Sequence, residues 1–104
     1  MRITVLAVPD CPGAALLRIR LETVVEEAGG AVVTWREVTT AEEAAALGMT
    51  GSPTLLIDGT DPFREPGLRP GWSCRLYRDP GGPPEPAPSL ARLRAALGQA
   101  GAPR

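Results

Sequence analysis

Short apolar runs alternate along the chain with longer stretches in which apolar residues recur every three or four positions. The runs are rich in Val, Ile and Leu, as buried strands are, and they cover residues 3–8, 31–38 and 54–59. Between the first two runs, residues 14–28 form a predicted helix with one apolar face, made of Leu17, Leu21, Val24 and Ala28. The pattern predicts an α/β chain that opens with two parallel strands joined by a right-handed helical crossover.

Two further helices are predicted from the residues at their ends. Thr40 and Glu43 form a capping box, which opens a short Ala-rich helix that stops near Gly48. Ser89 is expected to cap a last helix that stops at Gly98 and buries one face, made of Leu90, Leu93 and Leu97.

Residues 59–88 differ from the rest because eight of these thirty are Pro and five are Gly. Such density predicts loops over 59–73 and 79–88, the second partly polyproline-like. The island 73–78 is strand-like, and it is expected to lie antiparallel beside the strand at 54–59. The order β-α-β-α-β-β-α then gives a four-stranded mixed sheet with helices on both faces. Residues 1–98 are expected to form one domain, with 99–104 as a flexible tail.

The composition excludes several kinds of chemistry. The 104 residues include two cysteines and no histidine, lysine or asparagine. Catalytic pairs that need His, Schiff bases and imidazole metal ligands are therefore excluded, and two thiols cannot form a four-thiolate zinc site. No metal or cofactor is expected.

The charge and the hydropathy pattern limit the partners. A formal net charge of -1 with scattered arginines argues against a nucleic-acid binder. No apolar run reaches 18 residues, and the first one is interrupted at Pro9, too early for a signal peptide. The protein is expected to be cytoplasmic, without a membrane partner, and nothing in the sequence requires an oligomer.

Cys11 is the principal candidate for chemistry because it lies between a buried strand and the start of a helix. Unpaired backbone N–H groups and the positive end of the helix dipole stabilise a thiolate there. Pro12 suits the first helical turn, whereas the carboxylate of Asp10 opposes the thiolate. Ser52-Pro53, which follows a Gly and precedes a strand, is a candidate for a cis peptide bond.

The order of elements, with Cys11-Pro12-Gly13-Ala14 after the first strand and Gly51-Ser52-Pro53-Thr54 before the third, resembles the thioredoxin fold. The resemblance covers residues 2–98. It implies that Pro53 is cis and packs against Cys11, and that the backbone of Ser52 pairs with a thiol-bearing substrate. Pro12, Ser52 and Pro53 would then form the substrate-binding surface around a catalytic Cys11.

Ala14 departs from the dithiol members of that family, which carry a second cysteine at this position. The lone thiol is similar to the arrangement in monothiol glutaredoxins. It implies a candidate thiol–disulfide oxidoreductase in which Cys11 attacks a disulfide or holds an adduct. The expected partner is a protein disulfide or a low-molecular-weight thiol, and the latter would resolve the mixed disulfide.

Cys74 is interpreted as a small buried residue on the fourth strand. If that strand returns antiparallel to the third, Cys74 lies about 17–20 Å from Cys11, too far for a disulfide. Gly-Ser-Pro-Thr with the later Ser-Cys-Arg-Leu-Tyr also resembles part of the organomercurial lyase family. That resemblance implies soft-metal chemistry carried by Cys11, Cys74 and Asp10.

A third alternative is a non-catalytic adaptor that uses the 59–73 loop. This loop is long for a hairpin connection, and it carries Phe63 and Trp72. Its role is either to cover an edge of the sheet or to bind a partner. Trp35, on the second strand, is expected to belong to the core.

Overall fold

A computed structural model describes the backbone of residues 1–101 and the side chains of residues 1–98. The fold is α/β, with three helices and seven short strands over this range. In chain order the elements are β1 (Arg2–Ala7), α1 (Pro12–Glu27), β2 (Val32–Glu37), α2 (Ala41–Leu47), β3 (Thr50–Ser52), β4 (Thr54–Ile57), β5 (Gly71–Cys74), β6 (Tyr77–Arg78), β7 (Pro84–Glu85) and α3 (Leu90–Gly101). No helix among these combines the length and apolar character that crossing a membrane requires.

The main sheet has three strands in the order β2-β1-β4. β1 and β2 are parallel, from Arg2 opposite Val32 to Ala7 opposite Glu37, which confirms the predicted β-α-β unit. β4 is antiparallel to β1, so the sheet is mixed.

The side chains of β1 alternate between the two faces of this sheet, because successive residues of a strand point to opposite sides. Ile3 and Val5 join the larger core cluster, to which α1 and α3 contribute Leu17 and Leu93. Leu6 joins a smaller cluster on the other face, formed with Val38, Ala44 and Met49. Helices therefore cover both faces, as predicted.

The prediction that residues 73–78 form a fourth strand of the main sheet is wrong. The island 73–78 is divided into β5 and β6, and neither pairs with β4. β5 lies parallel to β3, whereas β6 forms an antiparallel pair with β7. Arg75 lies between these two strands and is buried, 7 % exposed.

The predictions for the C-terminal part were partly wrong. Residues 79–88 are not entirely loop, because β7 pairs with β6 after a turn at Asp79–Gly82. α3 continues through Gly98 to Gly101, since one glycine costs a helix only about 1 kcal/mol. Part of the predicted tail is thus helical, and residues 102–104 lie outside the described range.

The predicted starts of α2 and α3 and the predicted end of α2 are confirmed. Thr40 Oγ1 accepts the Glu43 N–H at 3.1 Å, and α2 ends at Gly48, whose φ of 76° is left-handed. Ser89 Oγ accepts the Arg92 N–H at 3.2 Å at the start of α3.

The capping carboxylate of α2 gives a testable pH dependence. The pKa of Glu43 lies below its ordinary value, because the carboxylate accepts the Thr39 N–H and pairs with Arg36. A lowered folded-state pKa means that its stabilisation is present above the unfolded pKa and disappears as pH falls through the folded pKa. In urea titrations at several pH values, Glu43→Gln should be destabilised at neutral pH, and the deficit should shrink in acid. A deficit that does not vary with pH would contradict this role.

Candidate functional site

Cys11 is the N-cap of α1, at the point where the chain leaves the sheet. Its carbonyl accepts the N–H groups of Ala14 at 3.1 Å and Ala15 at 3.3 Å, which start the helix. Pro12 occupies the first helical turn, as predicted, and the thiol makes no capping hydrogen bond. The Cys11 residue is 8 % exposed. Its sulfur is thus held at the positive end of a 16-residue helix.

Asp10 lies in the turn before Cys11 and has a backbone conformation that few residues adopt. Its φ of 57° lies in the left-handed region, which Asp tolerates better than most residues other than Gly. This turn reverses the chain from β1 into α1 and leaves Asp10 exposed. The carboxylate therefore remains in solvent beside the thiol.

Pro53 lies against the start of α1. The Ser52–Pro53 peptide bond is cis, as the sequence predicted. Gly13 approaches it so closely that a Cβ at Gly13 would lie 2.9 Å from Pro53 Cδ and would collide with the Pro86 carbonyl oxygen. The structure thus brings Pro53 to the helix turn that begins at Cys11.

Ser52 is buried, and its hydroxyl and carbonyl groups are already hydrogen-bonded within the protein. Its hydroxyl accepts the Val8 N–H at 3.0 Å, which joins the end of β1 to the turn before Pro53. Its carbonyl accepts the Arg75 N–H at 3.0 Å, just after β5. The expectation that this backbone is free for a substrate is therefore wrong for the carbonyl, because the chain's own segment occupies it.

Tyr77 belongs to this region and was missed by the sequence interpretation. Its hydroxyl donates a hydrogen bond to the Pro53 carbonyl, and its ring packs edge-on against Phe63 with centroids 5.7 Å apart. Burial raises the pKa of the Tyr77 hydroxyl, an effect that the nearby charge of Arg75 only partly opposes. Tyr77 is therefore a neutral donor. The sequence signal was the single tyrosine three residues after Cys74.

Arg75 holds the segment that carries Tyr77. Its guanidinium pairs with Asp61 at 2.8 Å, and the two side chains are 5 % and 9 % exposed. It also donates to Thr50 Oγ1 at 3.0 Å and to the Phe63 carbonyl at 2.7 Å. A buried guanidinium with this many acceptors fixes the 61–77 region onto β3.

A pocket of about 270 Å³ opens beside Cys11. Its lining comes only from the end of β1, the first turns of α1, the connection between them, and β2. Trp35 forms one wall, and Arg18 lies over its ring, with the guanidinium carbon 4.1 Å from the ring centroid. Trp35 is partly exposed: it packs against the larger core cluster, where it was expected, and it also contributes to this wall.

Charges of both signs line the pocket. Arg36 pairs with Glu43 at 3.2 Å outside it. Among the side chains that the structure describes, Arg18, Asp10 and Glu37 form no ion pair. The guanidinium of Arg18 is thus available to a ligand that carries a negative group.

Cys74 is exposed rather than buried, which corrects its interpretation as a core residue. It lies in register with Ser52 because β5 runs parallel to β3. The expected position at the far end of the sheet is therefore wrong. The two cysteines are nevertheless free thiols, as predicted.

The two aromatic residues of the 59–73 loop have different environments. Phe63 is 4 % exposed and belongs to the core, whereas Trp72 is 43 % exposed on β5. The loop therefore covers part of the core, and Trp72 is its exposed aromatic residue.

No group of three or more Cys, Asp and Glu side chains is arranged to hold a metal ion within the described part of the chain. Comparisons of the chain with family models, curated proteins and solved structures gave no match. The chemistry of Cys11 is therefore inferred from the geometry around it.

Proposed function

We propose that this is a thioredoxin-like protein in which the single thiol of Cys11 performs thiol–disulfide exchange or forms a thiol adduct. The observation that carries the proposal is the position of Cys11, at the N-terminus of α1 and in the wall of a pocket. The helix end places the positive pole of the helix dipole beside the sulfur, and the pocket gives a reactant access to it.

The arrangement of elements supports the thioredoxin-like part of the proposal. A β-α-β unit is followed by β4, which is antiparallel to β1, and the cis Pro53 precedes β4 beside the start of α1. α3 packs with α1 on one face of the sheet. The three-stranded main sheet differs from the four-stranded arrangement that the sequence predicted.

The proposed exchange reaction needs only one thiol of the protein, that of Cys11. The Cys11 thiolate attacks one sulfur of a disulfide, a new sulfur–sulfur bond forms, and the other sulfur leaves as a thiolate. Because position 14 is alanine, a low-molecular-weight thiol from solution must attack the mixed disulfide and release Cys11. Pro12 and Pro53 shape the backbone around the sulfur, and Ser52 joins that backbone to β1.

Intact-protein mass spectrometry after incubation with cystine tests the proposal. The Cys74→Ser variant should gain one half-cystine and lose it again when free cysteine is added in excess. The Cys11→Ser variant, which keeps the exposed Cys74, should show no adduct at position 11 after peptide mapping. Absence of any adduct at Cys11 in folded Cys74→Ser protein would exclude the function.

A second candidate is the binding of a soft metal ion by Cys11 and Cys74. The observation that favours it is the position of Cys74, which lies opposite Ser52 in the pairing of β3 with β5. Ser52 precedes Pro53, and Pro53 lies beside the start of α1, where Cys11 is the N-cap. Thiolates select soft cations such as mercuric ion. Titration with mercuric chloride should then show one tight equivalent that either Cys11→Ser or Cys74→Ser weakens. Two independent equivalents, one lost in each variant, would contradict shared binding.

A further inference from the structure

We propose that Cys11 reacts with low-molecular-weight disulfides that carry a carboxylate, and that residues 71–77 exclude extended polypeptides from the site. This inference rests on the proposed function and names the substrate class of the same thiol. It departs from the expectation that a substrate backbone pairs beside Pro53.

The side of the site next to Pro53 is closed by the protein's own chain. The Gly71 N–H donates to the Met49 carbonyl at 2.9 Å, and the Arg75 N–H donates to the Ser52 carbonyl at 3.0 Å. The Tyr77 hydroxyl donates to the Pro53 carbonyl. A polypeptide that bound here as an added strand would have to displace these three contacts.

Residues 71–77, which close this side of the site, are held in place by several contacts. The buried ion pair of Arg75 and Asp61 attaches it to the start of the 59–73 loop, and the Arg75 guanidinium also donates to Thr50 on β3. At Gly51 the approach is so close that a Cβ would lie 2.7 Å from Arg75 Cβ. Breaking a buried, hydrogen-bonded ion pair is costly, so we expect the segment to stay in place during the reaction.

The opposite side of Cys11 is open. β1 lies between β2 and β4 in the main sheet, and the pocket beside Cys11 uses residues of β2 but none of β3, β4 or β5. A reactant therefore reaches the sulfur from the β2 side. A volume of about 270 Å³ accommodates a small molecule.

Arg18 gives the pocket its preference for a carboxylate. Its guanidinium is stacked on Trp35 and has no carboxylate partner among the described side chains. A stacked guanidinium loses little freedom when it binds a planar carboxylate through two hydrogen bonds. Asp10 and Glu37 line the same pocket, so an ammonium group on the reactant also finds a complementary charge.

The test compares two disulfides that have cysteine as the reacting residue. One is cystine, and the other is the disulfide-linked dimer of an extended eight-residue peptide with a central cysteine. Both react with Cys74→Ser protein, and the rate of labelling at Cys11 is measured by mass spectrometry. The same rates in urea-unfolded protein give the intrinsic ratio for the two reagents. Arg18→Gln is compared with Arg69→Gln, which changes an exposed arginine outside the pocket.

The ratio of the cystine rate to the peptide rate in folded protein is divided by the same ratio in unfolded protein. The result should be at least about ten, in favour of cystine. Arg18→Gln should slow the labelling of Cys11 by cystine about twofold to fivefold, as expected for the loss of one exposed ionic contact, whereas Arg69→Gln should leave the rate unchanged. Equal normalised rates would overturn the exclusion of polypeptides. An unchanged cystine rate in Arg18→Gln would overturn the carboxylate assignment. If neither reagent labels Cys11 in folded protein, the proposed function fails, and this inference fails with it.

Discussion

Replacing Gly13 with alanine is expected to lower the free energy of unfolding by about 2–3 kcal/mol, the cost of overpacking a tight contact. A Cβ at this position would collide with the Pro86 carbonyl and press on Pro53. Both neighbours belong to constrained backbone, so neither can move aside cheaply. The melting temperature of a domain of this size should fall by roughly 10–15 °C.

Gly98→Ala is the matched control, because Gly98 is also helical and, outside its own stretch of helix, no described atom lies within 4 Å of the position that a Cβ would take there. Here the substitution only improves helix propensity, and it should stabilise the protein by about 0.5–1 kcal/mol. Urea denaturation of the two variants measures both effects. Equal and small changes in the two would contradict the close packing of Gly13 on Pro53 and Pro86.

Replacing Asp61 with asparagine should destabilise the fold by about 3 kcal/mol, because it leaves the buried guanidinium of Arg75 without its counter-charge. Asparagine has nearly the same size and keeps an oxygen for the Phe63 N–H, which Asp61 now accepts at 2.8 Å. The loss is therefore electrostatic rather than steric.

Two further variants distinguish the effect of leaving a buried charge unpaired from the effect of removing a carboxylate in general. Glu27→Gln removes a carboxylate from an ion pair with Arg94 that is about half exposed, and it should change stability much less. The double variant Asp61→Leu with Arg75→Met removes both buried charges and should be less destabilised than Asp61→Asn. A double variant that is clearly less stable than the single one would show that the hydrogen bonds of Arg75, rather than its unpaired charge, dominate.

The sequence predicted the parts of the fold that depend on local patterns. The apolar runs located β1, β2 and β4, and the polar residues at Thr40 and Ser89 marked the beginnings of two helices. These signals act over a few residues, so they can be recognised without knowing the tertiary structure. The cis bond before Pro53 was also predicted.

The pairing of β5 could not be predicted in the same way. Two strands that follow each other without a helix usually form an antiparallel pair, but β5 returns to the start of β3 and runs parallel to it. The residue that fixes this arrangement is Arg75, whose partner Asp61 is 14 residues away. An arginine in a sequence is ordinarily interpreted as a surface residue, so its burial was visible only in the structure.

The residues of the candidate site also divide into those that local sequence patterns indicate and those that only the structure shows. Cys11, Pro12 and Pro53 were identified from their places next to β1, α1 and β4. Tyr77 and the pocket wall formed by Trp35 were not, because both depend on contacts between segments far apart in the chain. The exposure of Cys74 followed from the unexpected position of β5.

A crystal structure of the Cys74→Ser protein carrying half-cystine on Cys11 tests most directly whether small disulfides reach the thiol from the β2 side. We expect the added group to lie between α1 and β2, with its carboxylate on Arg18 and its body against Trp35. β5 should remain paired with β3, with the Arg75 N–H on the Ser52 carbonyl. An adduct that lies along Pro53, with β5 displaced from Ser52, would contradict both the proposed route and the proposed substrate class.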